Sequence, residues 1–341
     1  MNARIQGLTS RKGISISRTL IGMGVAALIA SFAAASPASG APPQPSGHIL
    51  FTRSLCDSDT DPCWEIVVAD AADQHETVVA GPYPRTVWDD HFIANWAPDG
   101  RSVVFMADFG DGAAIWQVNA DRTGMHKVYA PGPGDHTPGK GFNGLDDGPA
   151  FTPDGERIIF TRCCPQNSGY GLWSVKPDGT GLRIVTTEPQ GMRGDGPSDN
   201  LPQVSPNGRL IAFHRNPPPF DCGCYIATVN FAGGHMQGLT PGELSGQIPN
   251  WSPDSTRIVF QANGHMYGVN VDGSGLTQLV DDPEGVVSVN PAYSPDGTRI
   301  IFGHTPPEGG RDIYTMNLDG TGLTQVTHSP SIERYPHWTP N

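Results

Sequence analysis

One short motif recurs six times along the chain, and no other feature limits the possible folds as strongly. Asn95-Trp96-Ala97-Pro98-Asp99-Gly100 is followed by Ala150-Phe151-Thr152-Pro153-Asp154-Gly155 and Gln203-Val204-Ser205-Pro206-Asn207-Gly208. Asn250-Trp251-Ser252-Pro253-Asp254-Ser255, Ala292-Tyr293-Ser294-Pro295-Asp296-Gly297 and His337-Trp338-Thr339-Pro340-Asn341 complete the series. The prolines are 55, 53, 47, 42 and 45 residues apart, close to the length of one propeller blade. After each of the first five copies comes a short apolar run: Val103-Val104-Phe105, Ile158-Ile159-Phe160, Leu210-Ile211-Ala212-Phe213, Ile258-Val259-Phe260 and Ile300-Ile301-Phe302. Such runs beside Pro-Asp-Gly are strands leaving a tight turn. A third strand follows, as in Ala114–Val118 and Asp312–Met316. It ends in a second turn, Asp178-Gly179-Thr180-Gly181, Asp272-Gly273-Ser274-Gly275 or Asp319-Gly320-Thr321-Gly322. A short fourth strand such as Thr277–Val280 closes the unit. Only 16% of residues are charged, while Gly (43) and Pro (33) are abundant, which favours short strands and turns over amphipathic helices.

The repeat predicts an all-β fold, a six-bladed β-propeller of four-stranded antiparallel blades. The first unit begins at its second strand, Ile49–Thr52, and the chain ends in an orphan first strand, Tyr335–Thr339. Pairing the two completes the sixth blade and leaves no open edge.

The Trp-Ser-Pro-Asp-Gly-type turn, the Ile-Val-Phe strand and the Asp-Gly-Thr-Gly turn resemble the TolB-type propeller repeat. The resemblance covers nearly all of residues 41–341 and implies the propeller fold with an interaction role. The family's periplasmic namesake carries an α/β domain before its propeller, and the stretch between Ala41 and Ile49 has no room for one. Similar repeats occur in propeller domains of prolyl oligopeptidase-type peptidases, whose separate hydrolase domain has no counterpart here.

Residues 1–40 read as a secretory signal peptide: Arg4, Arg11, Lys12 and Arg18 are basic, Thr19–Ala35 is apolar or small, and Ala38-Ser39-Gly40 fits a cleavage site. The expected product is an exported, periplasmic or extracellular monomer without a membrane span, residues 41–341. The full chain has formal charge −13, and losing those four basic residues makes it more acidic still. That excludes a nucleic-acid partner, whose phosphates need a basic footprint.

Turns after strands one and three of each blade share one face and are short. Loops after strands two and four share the other face and are long, as in 81–94, 131–148 and 187–200. Long loops on a rigid scaffold are where binding resides. Candidate ligand-binding residues ring the channel mouth on that face: His91, Asn95, Asp146, Asp147, Asp199, Asn200, Gln247, Asn290, Arg334 and His337. They either cap strands and solvate the channel or form a polar pocket for a protein, peptide, glycan or cation. Carboxylates at Asp89, Asp90, Asp146, Asp147, Asp195 and Asp199 would suit Ca²⁺, but no ligand spacing fixes a metal or other cofactor. No nucleophile elbow and no zincin motif occurs, so no catalytic residue is assigned. An alternative reading is a lyase or hydrolase acting on carbohydrate or peptide at the mouth, with His91 and His337 near Asp89 or Asp146. Six cysteines form three close pairs, Cys56 and Cys63, Cys163 and Cys164, Cys222 and Cys224. In an exported chain they are expected to be disulfides: Cys56 to Cys63, and one of Cys163 or Cys164 to one of Cys222 or Cys224.

Overall fold

The computed structural model describes residues 47–55, 62–71, 75–84, 93–109, 113–130, 147–163, 170–186, 197–218, 223–307 and 309–340. They form six four-stranded sheets. Blade 2 is built from Ala94–Trp96, Ser102–Asp108, Ala113–Asn119 and His126–Tyr129, and blade 3 from Asp147–Phe151, Ile158–Cys163, Tyr170–Val175 and Arg183–Ile184. Ser198–Val204, Leu210–Asn216, Tyr225–Asn230 and Gln237–Gly238 make blade 4. Gln247–Trp251, Arg257–Ala262, His265–Asn270 and Thr277–Gln278 make blade 5, and Val287–Tyr293, Arg299–Thr305, Asp312–Asn317 and Thr324–Gln325 make blade 6. Blade 1 takes His48–Ser54, Pro62–Asp70 and Glu76–Pro84 from one end of the sequence and its innermost strand, Ile332–Trp338, from the other.

The repeated turn explains the repeated hairpin. In blade 5 Ser252 Oγ donates to Asp254 Oδ1 at 2.6 Å and accepts from the Arg257 amide at 2.9 Å. Asp254 Oδ1 also accepts from the Thr256 amide at 3.0 Å. Asp154, Asn207 and Asp296 repeat the arrangement. The next residue is left-handed, which Gly adopts without a Cβ penalty; blade 5 puts Ser255 there at φ 61. Its hydroxyl accepts from the Asn207 amide of blade 4 at 3.1 Å, a contact that Gly would lack.

Packing between blades supplies the core. Phe51, Phe105, Phe160, Phe213, Phe260 and Phe302 hold the same position on the second strands, and each is at most 1% exposed. Every seam has its own apolar cluster drawn from two neighbouring blades. Trp96, Trp251 and Trp338 belong to these clusters, and Tyr293 packs against one of them.

Closure is as expected and longer. Ile49 pairs with Trp338, Leu50 with His337, Thr52 with Arg334, Arg53 with Glu333 and Ser54 with Ile332. The Thr339 amide adds a bond to His48 O at 2.9 Å.

The inner strands contain a feature that the sequence reading did not anticipate. Five of the six carry a register shift at a left-handed residue followed by proline: Gly148-Pro149, Leu201-Pro202, Ile248-Pro249, Asn290-Pro291 and Tyr335-Pro336, with φ between 54 and 56. A bulky or β-branched residue there is strained. Packing holds it in place, because Ile93, Leu201, Ile248 and Tyr335 form one buried cluster. Four blades thus contribute apolar side chains that meet at the axis.

Deleting residues 332–341 is expected to expose the edges of His48–Ser54 and to cost about 4 kcal/mol or more, or to cause aggregation. Melting curves of the shortened chain test this; an unchanged midpoint would show that the ring does not depend on that strand.

Candidate functional site

The candidate site is the end of the axis on the long-loop face, where the inner strands begin. Its floor is the Ile93, Leu201, Ile248 and Tyr335 cluster. Just beyond that floor, toward the short turns, lies a polar layer that bonds to itself. Asn95 Nδ2 donates to Pro149 O in the next blade at 3.0 Å, and Asn95 Oδ1 accepts from Gln203 Nε2 across the ring at 3.4 Å. Asn250 Nδ2 makes the same bond to Pro291 O at 3.0 Å, and Trp251 Nε1 donates to Gln203 O at 2.9 Å. His337 completes the layer; burial alone pushes its imidazole down to about 4, so it is neutral at physiological pH.

The expected mouth residues therefore divide. Asn95 and Asn290 are buried, and Asn290 donates its amide and Nδ2 to Gln261 Oε1 at 3.0 and 2.9 Å. Asp199, 2% exposed, takes both contacts of the Arg215 guanidinium at 2.6 and 2.8 Å. Asn200, Gln247 and Arg334 are half-buried on the long-loop side of the floor. The Arg334 guanidinium stands over the Trp64 ring at 5.7 Å. His91, Asp146 and the side chain of Asp147 lie outside the described residues, as do Asp89, Asp90 and Asp195. Among the described residues no group of three potential ligands is arranged for a metal ion. Of the six cysteines only the Cys224 side chain is described, and it is buried; the expected pairings of Cys56, Cys63, Cys163, Cys164 and Cys222 fall outside.

A second pattern went unread in the sequence: Phe-x-Arg on the second strand of three blades, at Phe51-Thr52-Arg53, Phe160-Thr161-Arg162 and Phe213-His214-Arg215. Each arginine lies over an aromatic ring, Arg53 over Phe51, Arg215 over Phe213 and Arg162 over Trp173. Arg53 and Arg215 also face an acid on the inner strand, Glu333 and Asp199. Arg53 holds three carboxylates, bonding Glu333 at 2.9 Å, Glu65 at 3.3 Å and Glu76 at 2.7 Å. Glu333 is fully buried, and burial pushes its carboxyl up to about 7, against the hydrogen bond from the Thr327 hydroxyl and the pull of Arg53. These acids join strands; they do not wait for a ligand.

Blade 6 replaces the ion pair with Ser288 and His304. Ser288 Oγ lies 3.0 Å from His304 Nδ1 and 3.1 Å from Asp282 Oδ1. The residue types are those of a nucleophilic triad, but Ser288 is in the middle and 0% exposed. A substrate cannot reach it, and the imidazole is not held between nucleophile and acid.

The opposite face carries the aspartates of the second turns. Asp178 accepts from the Thr180 amide and hydroxyl at 2.9 and 2.7 Å, and Asp272 and Asp319 do the same with Ser274 and Thr321. The hydroxyl bonds hold these carboxyls below their usual range. A groove of about 660 Å³ also opens there between blades 1 and 2, lined by His48, Asp70, His75, Trp96, Arg101 and Asp121 among others.

Arg215→Met is expected to leave Asp199 buried without its cation, at a cost of about 3–5 kcal/mol. Chemical denaturation reads that loss, and a second change, Asp199→Leu, should recover most of it. The two shifted groups of the closing strand act on stability in opposite directions with pH. Glu333 is easier to protonate folded than unfolded, so its contribution is full below 4.5 and is lost as pH rises to about 7. His337 is harder to protonate folded, so its contribution is full above 6.5 and is lost as pH falls toward 4. Melting midpoints from pH 4 to 8 should show Glu333→Gln gaining on the wild type toward alkaline pH. The acid limb should flatten in His337→Asn.

No family model matches the chain. Among curated proteins, an uncharacterized protein of Agrobacterium fabrum is 25% identical over 173 residues, 48% of this chain and 52% of that protein. The Tol-Pal system protein TolB of Gluconobacter oxydans is 42% identical over 67 residues, 20% of this chain and 13% of that protein. The chain thus spans about half of the first relative and a small part of the second. Among solved structures, TolB from Acinetobacter baumannii superposes with a TM-score of 0.67 at 18% identity, over 89% of this chain and 69% of that one. A putative TolB from Agrobacterium tumefaciens gives 0.58 at 16%, over 87% and 100%. An oligogalacturonate lyase from Vibrio parahaemolyticus gives 0.52 at 12%, over 84% and 87%. At these identities the likeness is one of fold: six blades, the turn motif and the closing strand together make this chain a TolB-like β-propeller.

Proposed function

We propose that this chain is an exported binding propeller that presents its long-loop face and channel mouth to a protein, peptide or envelope ligand. The observation that carries this reading is the axial floor of Ile93, Leu201, Ile248 and Tyr335. A stoppered axis turns the mouth into a blind recess, reachable from the face that also bears the long loops. Binding sites on rigid scaffolds have this form. Export is supported by the basic, then apolar, then small-residue order of residues 1–40.

The enzymatic alternative has the propeller fold of oligogalacturonate lyases in its favour. An acid–base pair would need an imidazole tuned by a neighbouring carboxylate. His337 has a lowered pKa, but burial is the whole cause. The balance of observations favours binding without turnover.

Asn200→Ala, Gln247→Ala and Arg334→Ala should weaken capture of the ligand from an envelope extract by about tenfold in combination, while each lowers the melting midpoint only slightly, because the three side chains are half-buried and lie outside the apolar clusters. Asp178→Ala, Asp272→Ala and Asp319→Ala on the short-turn face serve as controls. Calorimetric titration reads both sets. Ligand lost by the control set and kept by the mouth set would place the binding face on the wrong side.

A further inference from the structure

Blade 5 departs from its neighbours at one small peg. In blades 3, 4 and 6 a threonine follows the fourth strand, and its hydroxyl accepts from an amide of the third strand. Thr186 accepts from Leu172 at 2.9 Å, Thr240 from Ile226 at 3.0 Å and Thr327 from Ile313 at 2.8 Å. The residue before each threonine donates its own amide to the carbonyl of that same third-strand residue, and in blade 5 Leu279 does so to Met266 O at 2.9 Å. This register puts Val280 where the other three blades have threonine. Valine has no hydroxyl, so the connection from blade 5 to blade 6 lacks the tie at its root.

Two residues further on, the connection carries Asp282. Its side chain is 3% exposed, and it faces His265 at the start of the third strand of blade 5, with His265 Nδ1 3.7 Å from Asp282 Oδ2. Neither of these atoms makes a hydrogen bond among the described residues. The other carboxylate oxygen lies 3.1 Å from Ser288 Oγ on the inner strand of blade 6, and that hydroxyl is 3.0 Å from His304 Nδ1. One hydroxyl proton serves one acceptor. With Ser288 donating to Asp282, His304 is the donor to Ser288. Burial holds the His304 imidazole below its ordinary range, against the pull of Asp282, which suits a neutral donor. Tyr314 lies beside that ring with centres 4.8 Å apart, and Asp281 and Glu284 on the connection itself are exposed. The Ser288 amide donates to Gly264 O, next to His265, at 3.0 Å, so backbone and side chains cross the same seam.

The two imidazoles differ in access to protons. His265 is a third exposed and exchanges them with solvent. Histidine is the side chain whose charge changes between pH 5 and 8. A buried ionised carboxylate is costly without a cation. Protonation of His265 supplies one, and its Nδ1–H can close on the spare carboxylate oxygen as a charge-assisted hydrogen bond.

We propose that Asp282 and His265 form a proton-operated latch that fastens the connection between blades 5 and 6 to blade 5 in mildly acidic surroundings and releases it near neutrality. The latch does by charge what threonine does in the other blades by a neutral bond. It acts on the long-loop face whatever ligand the mouth receives.

Native-state hydrogen exchange on the full chain tests it, with each rate divided by the intrinsic rate at the same pH. The reporters are the amides of Val286, bonded to Pro283 O at 3.1 Å, and of Ser288. The Val185 amide, bonded to Leu172 O at 2.8 Å in blade 3, is the reference. From pH 7.5 to pH 5.5 the protection of Val286 and Ser288 should rise about threefold or more relative to Val185, the scale of a partly exposed ion pair. His265→Gln and Asp282→Asn should each remove the rise. Val280→Thr, which restores the neutral peg, should raise protection at pH 7.5 and leave the proton little to add. Nitrogen NMR of the wild type gives a reading that needs no variant to fold: the Nδ1–H of His265 should be shielded from exchange with water at pH 5.5 and not at pH 7.5. Protection that does not change with pH, a rise that survives His265→Gln, or a freely exchanging Nδ1–H at pH 5.5 would overturn the latch.

Discussion

Six phenylalanines in one structural position, each sealed in the seam between two blades, are what the rest of the molecule depends on. A four-stranded blade cannot bury both of its faces alone, so it is stable only between neighbours. Each seam cluster therefore couples one blade to the next, and the last blade to the first. The ring must close for the couplings to be complete. That requirement accounts for the mixed origin of blade 1 and for the ionic and hydrogen-bonded reinforcement around its innermost strand.

The axis shows how strain and packing are balanced in the same ring. Proline after a left-handed residue kinks five of the six inner strands at the same place in the repeat. Leu201, Ile248 and Tyr335 adopt backbone angles that such residues usually avoid. Their apolar contact at the axis removes surface from water and holds them there. The polar layer below is satisfied by carbonyl groups freed at the kinks, such as Pro149 O and Pro291 O. Floor and layer thus meet beside the same backbone irregularity, with Ile93 and Asn95 of blade 2 joining them from a regular strand.

The fold was largely legible in the sequence because a turn chemistry and an apolar run, repeated six times, leave few alternatives. Strand pairing at closure was legible for the same reason: one end lacked a strand that the other end had to spare. The kinks had a signal that passed unread. Pro149, Pro202, Pro249, Pro291 and Pro336 each stand four residues before the turn proline of their blade. The candidate site was less legible. Spacing placed Asp199 and Asn290 near the mouth, but it could not tell that one faces an arginine and the other a glutamine. Those partners come from strands that only the register brings together.

The closing strand has a consequence for the order of events during folding. His48 and Thr339, bonded in the finished ring, are 291 residues apart in the chain. Blade 1 can form its outer three strands early, but its inner edge stays bare until the final stretch of polypeptide arrives. Loop closure over such a span costs only slightly more than over a shorter one, since the entropy grows with the logarithm of length. The delay is kinetic: non-local pairing of this kind is slow. Until it occurs, Ile49, Leu50 and Phe51 present an apolar strand edge to any other chain nearby. A propeller of this design is therefore most exposed to misassembly in the interval just before its last strand docks, and a factor that shields the His48–Ser54 edge in that interval would raise its yield without touching the native state.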